Sequence, residues 1–155
     1  MTITSAICNS FKQEILVEGH NFTNGTDAFK IALYSSDSAV LSKSTTAYTA
    51  PTDGTADPTN TYEVTSTSSG YTTGGNALTS TTPALSGDTA CCKFADTSWG
   101  SSASFTARGC LIYNSTNANK AVCAINFGSD KTVTSGTFTI QFPAQTAGNA
   151  IIQIA

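Results

Sequence analysis

The rhythm of apolar positions changes after the first eighteen residues. Between Ser5 and Val17 the residues Ile7, Phe11 and Ile15 recur at i, i+4 and i+8, and Leu16 widens the stripe. That spacing places them on one face of a helix, with Thr4 or Ser5 suited to the N-cap and Gly19 to the stop. From there on the period falls to two. Phe29, Ile31 and Leu33 share one side of a predicted strand, as do Ala90, Cys92 and Phe94 in residues 89–94, a region that Trp99-Gly100 closes. The clearest strand runs from Phe105 to Tyr113, with Phe105, Ala107, Gly109, Leu111 and Tyr113 on one face. Ala121, Cys123, Ile125 and Phe127 follow on the next, Phe138, Ile140 and Phe142 on another, and residues 150–155 form a last apolar strand. Shorter strands are expected at 62–64 and 77–79. Successive strand side chains point to opposite faces, so each segment presents one apolar face to a core.

About seven to nine short strands, with turn residues every 8–12 positions, predict an all-β antiparallel sandwich, jelly-roll-like, with one short N-terminal helix. Residues 1–18 form the helix or arm and residues 19–155 a single β-sandwich domain. The helix either docks on its own sheet or reaches a partner subunit. Residues 36–60, rich in Thr, Ser, Asp and Pro, read as an exposed loop longer than ordinary connections. Residues 69–76, with Gly70, Gly74 and Gly75, are dense in turn residues.

Register follows from the same alternation. Pairing Leu111 with Cys123, and Tyr113 with Ala121, puts both apolar sets of the 105–127 hairpin on one face, and a one-residue slip would separate them. In that register Cys110 and Cys123 lie on opposite faces and form no disulfide. Adjacent Cys91 and Cys92 diverge likewise. Five cysteines, an odd number with no CxxC, read as reduced buried thiols that pack as small hydrophobes.

Composition narrows the function. Only 11% of the 155 residues are charged, net charge is −3, and Ser and Thr make up roughly three residues in ten. Thr suits the outward faces of sheets. Six lysines and Arg108 are scattered singly, which argues against a nucleic-acid partner, since such binding needs clustered positive charge. No apolar run approaches a membrane span, and the N-terminus lacks the basic and apolar regions of a signal peptide, so no membrane partner and no secretion are expected.

The search for chemistry yields no catalytic, cofactor-binding or metal residue. The single histidine, His20, reads as a polar residue at an element junction; a Cys–His dyad would have to recruit a thiol within a strand. The acids Asp27, Asp37, Asp53, Asp57, Asp88, Asp96 and Asp130 fall in turns, and Glu63 has no evident partner. Asp53-Gly54-Thr55-Ala56-Asp57 lacks calcium-loop spacing, and the 70–75 glycines lack the ending of a phosphate loop. Asn21, Asn24 and Asn114 begin glycosylation-type triplets, common by chance in this composition. Tyr34, Tyr48, Tyr62, Tyr71, Tyr113 and Trp99 could line a sugar site, or pack in core and rim.

The runs Phe29-Lys-Ile-Ala-Leu-Tyr-Ser35 and Thr45-Thr-Ala-Tyr48, then Gly70-Tyr-Thr-Thr-Gly-Gly75, resemble small structural proteins encoded among the head and neck genes of tailed phages. So do Phe94-Ala-Asp-Thr-Ser-Trp99, Phe105-Thr-Ala-Arg-Gly-Cys-Leu-Ile-Tyr-Asn114, Phe127-Gly128 and the apolar ending at 151–154. The resemblance covers the chain from about residue 10 onward, and its motifs are structural. The cysteines and the stretch at 50–60 depart from the pattern. What it implies is a non-enzymatic virion protein without cofactors, assembled in the host cytoplasm. Its partner would be the major capsid protein or another virion protein, and it would itself be homo-oligomeric, a trimer included. A capsid cement (decoration) protein fits first; a neck, tail or fibre module, or a carbohydrate-binding β-sandwich, are the alternatives.

Overall fold

In the computed structural model, which describes residues 3–35, 41–49, 62–65, 68 and 70–155, the period-two segments pair into two antiparallel sheets. The elements are β1 (Ala6–Ile7), α1 (Asn9–Glu14) with a 3-10 turn at Ile15–Val17, β2 (Phe29–Tyr34), β3 (Asn76–Leu78), β4 (Ala84–Ser86), β5 (Thr89–Cys92), β6 (Thr97–Asn114), β7 (Lys120–Ile140) and β8 (Ile152–Ile154). One sheet has the order β1-β7-β6-β2-β3 and the other β4-β5-β8. The fold is thus an all-β, sandwich-like arrangement with one short helix.

The larger sheet is covered on both sides. Phe29, Ile31 and Leu33 pair across to Asn114, Ile112 and Cys110, so these residues share the face turned toward the smaller sheet. Between the sheets lies an aromatic cluster: Phe22 stacks on Phe29 at 4.5 Å, and Phe94 reaches both Phe29 (5.5 Å) and Phe142 (5.6 Å). Cys92 and Ile152 close this layer from β5 and β8. On the opposite face Tyr48 lies flat on Tyr113, with ring centres 4.4 Å apart. Each such buried side chain contributes about 1.5–3 kcal/mol relative to exposure.

Several expectations about elements change. The helix is shorter than its periodicity predicts: Ala6 and Ile7 are taken by β7, where they pair with Ala124 and Cys123. A sheet edge with unpaired amides outcompetes a marginal helix turn. Gly19 nonetheless stops the segment, its N–H reaching the Glu14 carbonyl at 2.7 Å, and the helix lies against β7 of its own sheet. The strand expected to close at Trp99-Gly100 instead begins β6 there, and the stretches near 121–127 and 137–142 join into the single 21-residue strand β7, which ends at Ile140. Register shifts between Ala107 and Gly109 and around Ala103 let that ribbon bend without breaking. Finally, the loop at 36–60 is not wholly exposed. Leu41 and Tyr48 are buried, and Ala47 bridges to Lys120; residues 36–40 and 50–60 lie outside the described residues.

The hairpin register is half as expected. Tyr113 faces Ala121, but a bulge between Ile112 and Tyr113 sets Leu111 against Ala124 and Ile112 against Cys123. One extra residue on β7 flips the faces beyond it. Cys110 and Cys123 therefore lie on the same face, not on opposite ones. All five cysteines are free and buried.

Candidate functional site

Two buried polar networks and two exposed apolar surfaces are where this fold can act. His20, expected as a bland junction residue, is buried with its ring against Phe11 at 4.8 Å. Its Nε2 lies 2.8 Å from the Glu14 carboxylate and its Nδ1 3.1 Å from Nδ2 of Asn114. Asn114 is oriented by its other contacts. Its oxygen accepts from the backbone N–H of Thr116 and Asn117, and its amide also donates to Asp27 at 2.7 Å. An amide NH2 can only donate, so Nδ1 of His20 accepts and the ring proton sits on Nε2, directed at Glu14. Lys120 approaches the other Glu14 oxygen at 3.4 Å. The chain Glu14–His20–Asn114–Asp27 ties the helix, the 20–28 link and the tip of the β6–β7 hairpin together. No thiol among the described residues takes part in it. The fully buried Asn114 is no glycan acceptor.

Glu63, for which the sequence offers no partner, turns out to accept three hydrogen bonds, more than any other acid among the described residues. It is 4% exposed and accepts from the hydroxyl of Tyr71 (2.8 Å), the backbone N–H of Gly74 (2.7 Å) and the hydroxyl of Tyr48 (3.0 Å). Tyr113 completes the network by donating to the Gly74 carbonyl at 2.8 Å. Burial pushes the Glu63 carboxyl above its ordinary range, and these three hydrogen bonds pull it partly back. The same burial, with the nearby carboxylate, raises Tyr48, Tyr71 and Tyr113. The glycines of this turn are dictated by space: a Cβ on Gly75 would stand 1.8 Å from the Ile31 carbonyl oxygen, at φ +72°. The pair Tyr34–Glu63 forms an isolated bridge in place of the strand expected at 62–64. Spacing could not have exposed the network, because its donors come from three separate segments.

Of the six aromatics considered for sugar stacking, five are core residues, and Tyr62 is half-buried and packs against that core. Tyr34, Tyr48, Tyr71, Tyr113 and Trp99 are all buried. Burial also pushes thiols up, Cys8 to about 11 and Cys92 and Cys123 to about 12, so they resist ionisation. Among the described residues no group of three or more His, Cys, Asp or Glu side chains converges on one point. Asp27 and Asp96 accept backbone or amide hydrogen bonds; Asp37, Asp53 and Asp57, with the calcium-like stretch, lie outside the described residues.

Among the described residues, Leu16 (83% exposed), Val17, Leu85 and Ile154 are the large aliphatic side chains in solvent. Leu85, Ala90 and Ile154 are cross-strand neighbours in β4, β5 and β8, so they share one face, and Ile15 and Ile154 line the same shallow hollow. At its other end that face carries buried Cys92 and Ile152. The inner surface of the small sheet thus runs on into solvent. Separately, a groove of about 510 Å³ opens between the β6–β7 ribbon and the segment after it, floored by Cys110, Ile125, Phe127, Phe138, Ile140 and Ile151. Comparisons with known protein families, with curated proteins and with solved structures find no match to this chain.

Proposed function

We propose that this chain is a non-enzymatic structural protein of a tailed-phage virion, acting as a capsid cement protein that bridges major capsid subunits. The observation that carries a contact function is that Leu16, Val17, Leu85 and Ile154 are left in solvent, with Leu85 and Ile154 on one face of the small sheet and Ile15, next to Leu16 in the chain, in the same hollow as Ile154. Monomeric soluble proteins seldom leave such side chains together; where they do, the surface usually meets a partner. The sequence resemblance supplies the virion context. A chain with 11% charged residues suits contacts that change little with salt, because apolar burial is not screened. Its buried polar networks hold loops in place and leave the surfaces to do the binding.

Purified virions of the source phage provide the test. Mass spectrometry should find the chain in the particle, and cryo-EM should place it on the capsid with Leu16 and Leu85 under a neighbouring subunit. A Leu16→Glu/Leu85→Glu double variant should fold but be lost from particles. Absence of the wild-type chain from virions, or full incorporation of the double variant, overturns the proposal.

A further inference from the structure

The long strand β7 has two different sides. Residues 131–140 pair with β6 on one edge. On the other edge the pairing with β1 ends at Ala124, beyond which the Asn126 N–H donates to Ser5 and its side-chain amide to the Ile3 carbonyl. Beyond that point no strand among the described residues lies against β7. Among the described residues, no strand pairs with the amides and carbonyls that face outward along this stretch, the arrangement by which sheet edges recruit an additional strand.

The apolar groove runs beside this edge. Phe138, Thr139, Ile140 and Gln141, consecutive along the chain, all contribute to its wall. Consecutive residues can line one groove only if backbone as well as side chains meets it. Phe127, Phe138, Ile140 and Ile151 are half-covered and pack on the core from within, leaving their outer surfaces to the groove. Lys131 is the one charged residue in the lining. Its ammonium donates to Ser129 Oγ at 2.9 Å and meets no carboxylate among the described residues, whereas Arg108 nearby is paired with Asp130.

We propose that the free edge of β7 and this groove receive an extended strand of a partner protein, apolar at every second residue and carrying an Asp or Glu that meets Lys131. Main-chain hydrogen bonds along residues 137–141 would give the affinity. Alternate apolar side chains entering between Phe127, Ile140 and Ile151 would give the spacing rule, because strand side chains alternate with period two. The carboxylate would fix direction and register. The groove shares no residue with the Leu16–Leu85 surface, so this proposal stands or falls apart from the virion reading.

The probe is a short synthetic peptide of alternating Val and Thr with one terminal Asp, titrated into the 15N-labelled full chain. We expect saturable binding and slowed hydrogen exchange at Thr137, Thr139 and Gln141. Exchanging Lys131 for Glu (Lys131→Glu) should weaken binding about tenfold, the loss of one charge-assisted contact, and leave the melting temperature unchanged. N-methylation of alternate peptide amides should abolish it. An edge whose exchange is untouched by the peptide overturns the proposal. So does binding indifferent to N-methylation, or a groove filled by dodecanoate but not by the peptide, which would make it a site for an anionic amphiphile.

Discussion

Tyr71 donates its hydroxyl to Glu63 across 2.8 Å of protein interior, and its oxygen in turn accepts the Leu33 backbone N–H at 3.0 Å. Through this pair a strand of the large sheet, the glycine turn at 74–75 and the segment around residue 63 become one unit.

Removing the Glu63 carboxylate by Glu63→Ala should cost about 3–5 kcal/mol, because it strands two buried hydroxyls and a backbone N–H. Glu63→Gln keeps an acceptor for Tyr71 and Gly74 and should cost about 1 kcal/mol. Chemical denaturation of the two variants beside the wild type measures this ordering; equal losses would show that the hydroxyls find other partners.

The same carboxyl sets a pH dependence. Its pKa in the folded chain is raised by burial above the unfolded value. The folded state then holds the proton more tightly, so the stability this group contributes is fully present below the unfolded pKa and is lost as pH rises through the folded one. Melting temperatures of wild type minus Glu63→Gln, followed upward from about pH 4, should therefore fall with pH. A difference that rises would reverse the assignment.

Asn114→Ala should remove about 2–4 kcal/mol, since Asp27, His20 and two turn N–H groups lose their common partner. In the wild type, long-range 15N correlation spectra should show His20 as the Nε2–H tautomer. Finding the proton on Nδ1 would require Asn114 to be flipped, against its bonds to Thr116 and Asn117.

Gly75→Ala should prevent folding or cost several kcal/mol, because the new Cβ meets the Ile31 carbonyl oxygen at 1.8 Å and that backbone belongs to a central strand. Gly87→Ala is the control: φ is also positive, +62°, but nothing lies within 4 Å, so only the left-handed backbone penalty of about 1–2 kcal/mol applies. Thermal unfolding of the two variants compares close approach with backbone strain.

The native chain should react slowly with a thiol reagent near neutral pH, and all five thiols should react once denaturant is added. Burial and raised pKa act together at Cys8, Cys92, Cys110 and Cys123. Fast labelling of the native protein would mean that the face shared by Cys110 and Cys123 opens readily.

Alternation along the chain was enough to predict the all-β class, the strand at Phe29, the turn between Tyr113 and Ala121, and the apolar C-terminal strand, which the structure pairs with β5. These depend on neighbours one or two residues apart, and local spacing encodes them. What the pattern could not contain is any relation made across long separations. The capture of Ile7 by β7 depends on a strand edge more than a hundred residues away, and the bulge that put Cys110 and Cys123 on one face depends on one unpaired residue. Glu63 looked partnerless for the same reason: Tyr48, Tyr71 and Gly74 reach it only after three segments have closed over the sheet. Sequence by itself determined which residues prefer a core, because transfer from water is a property of each side chain. Tertiary structure alone decided which polar groups meet there and which apolar ones stay in solvent, because hydrogen-bond partners and edges exist only once distant segments are packed together.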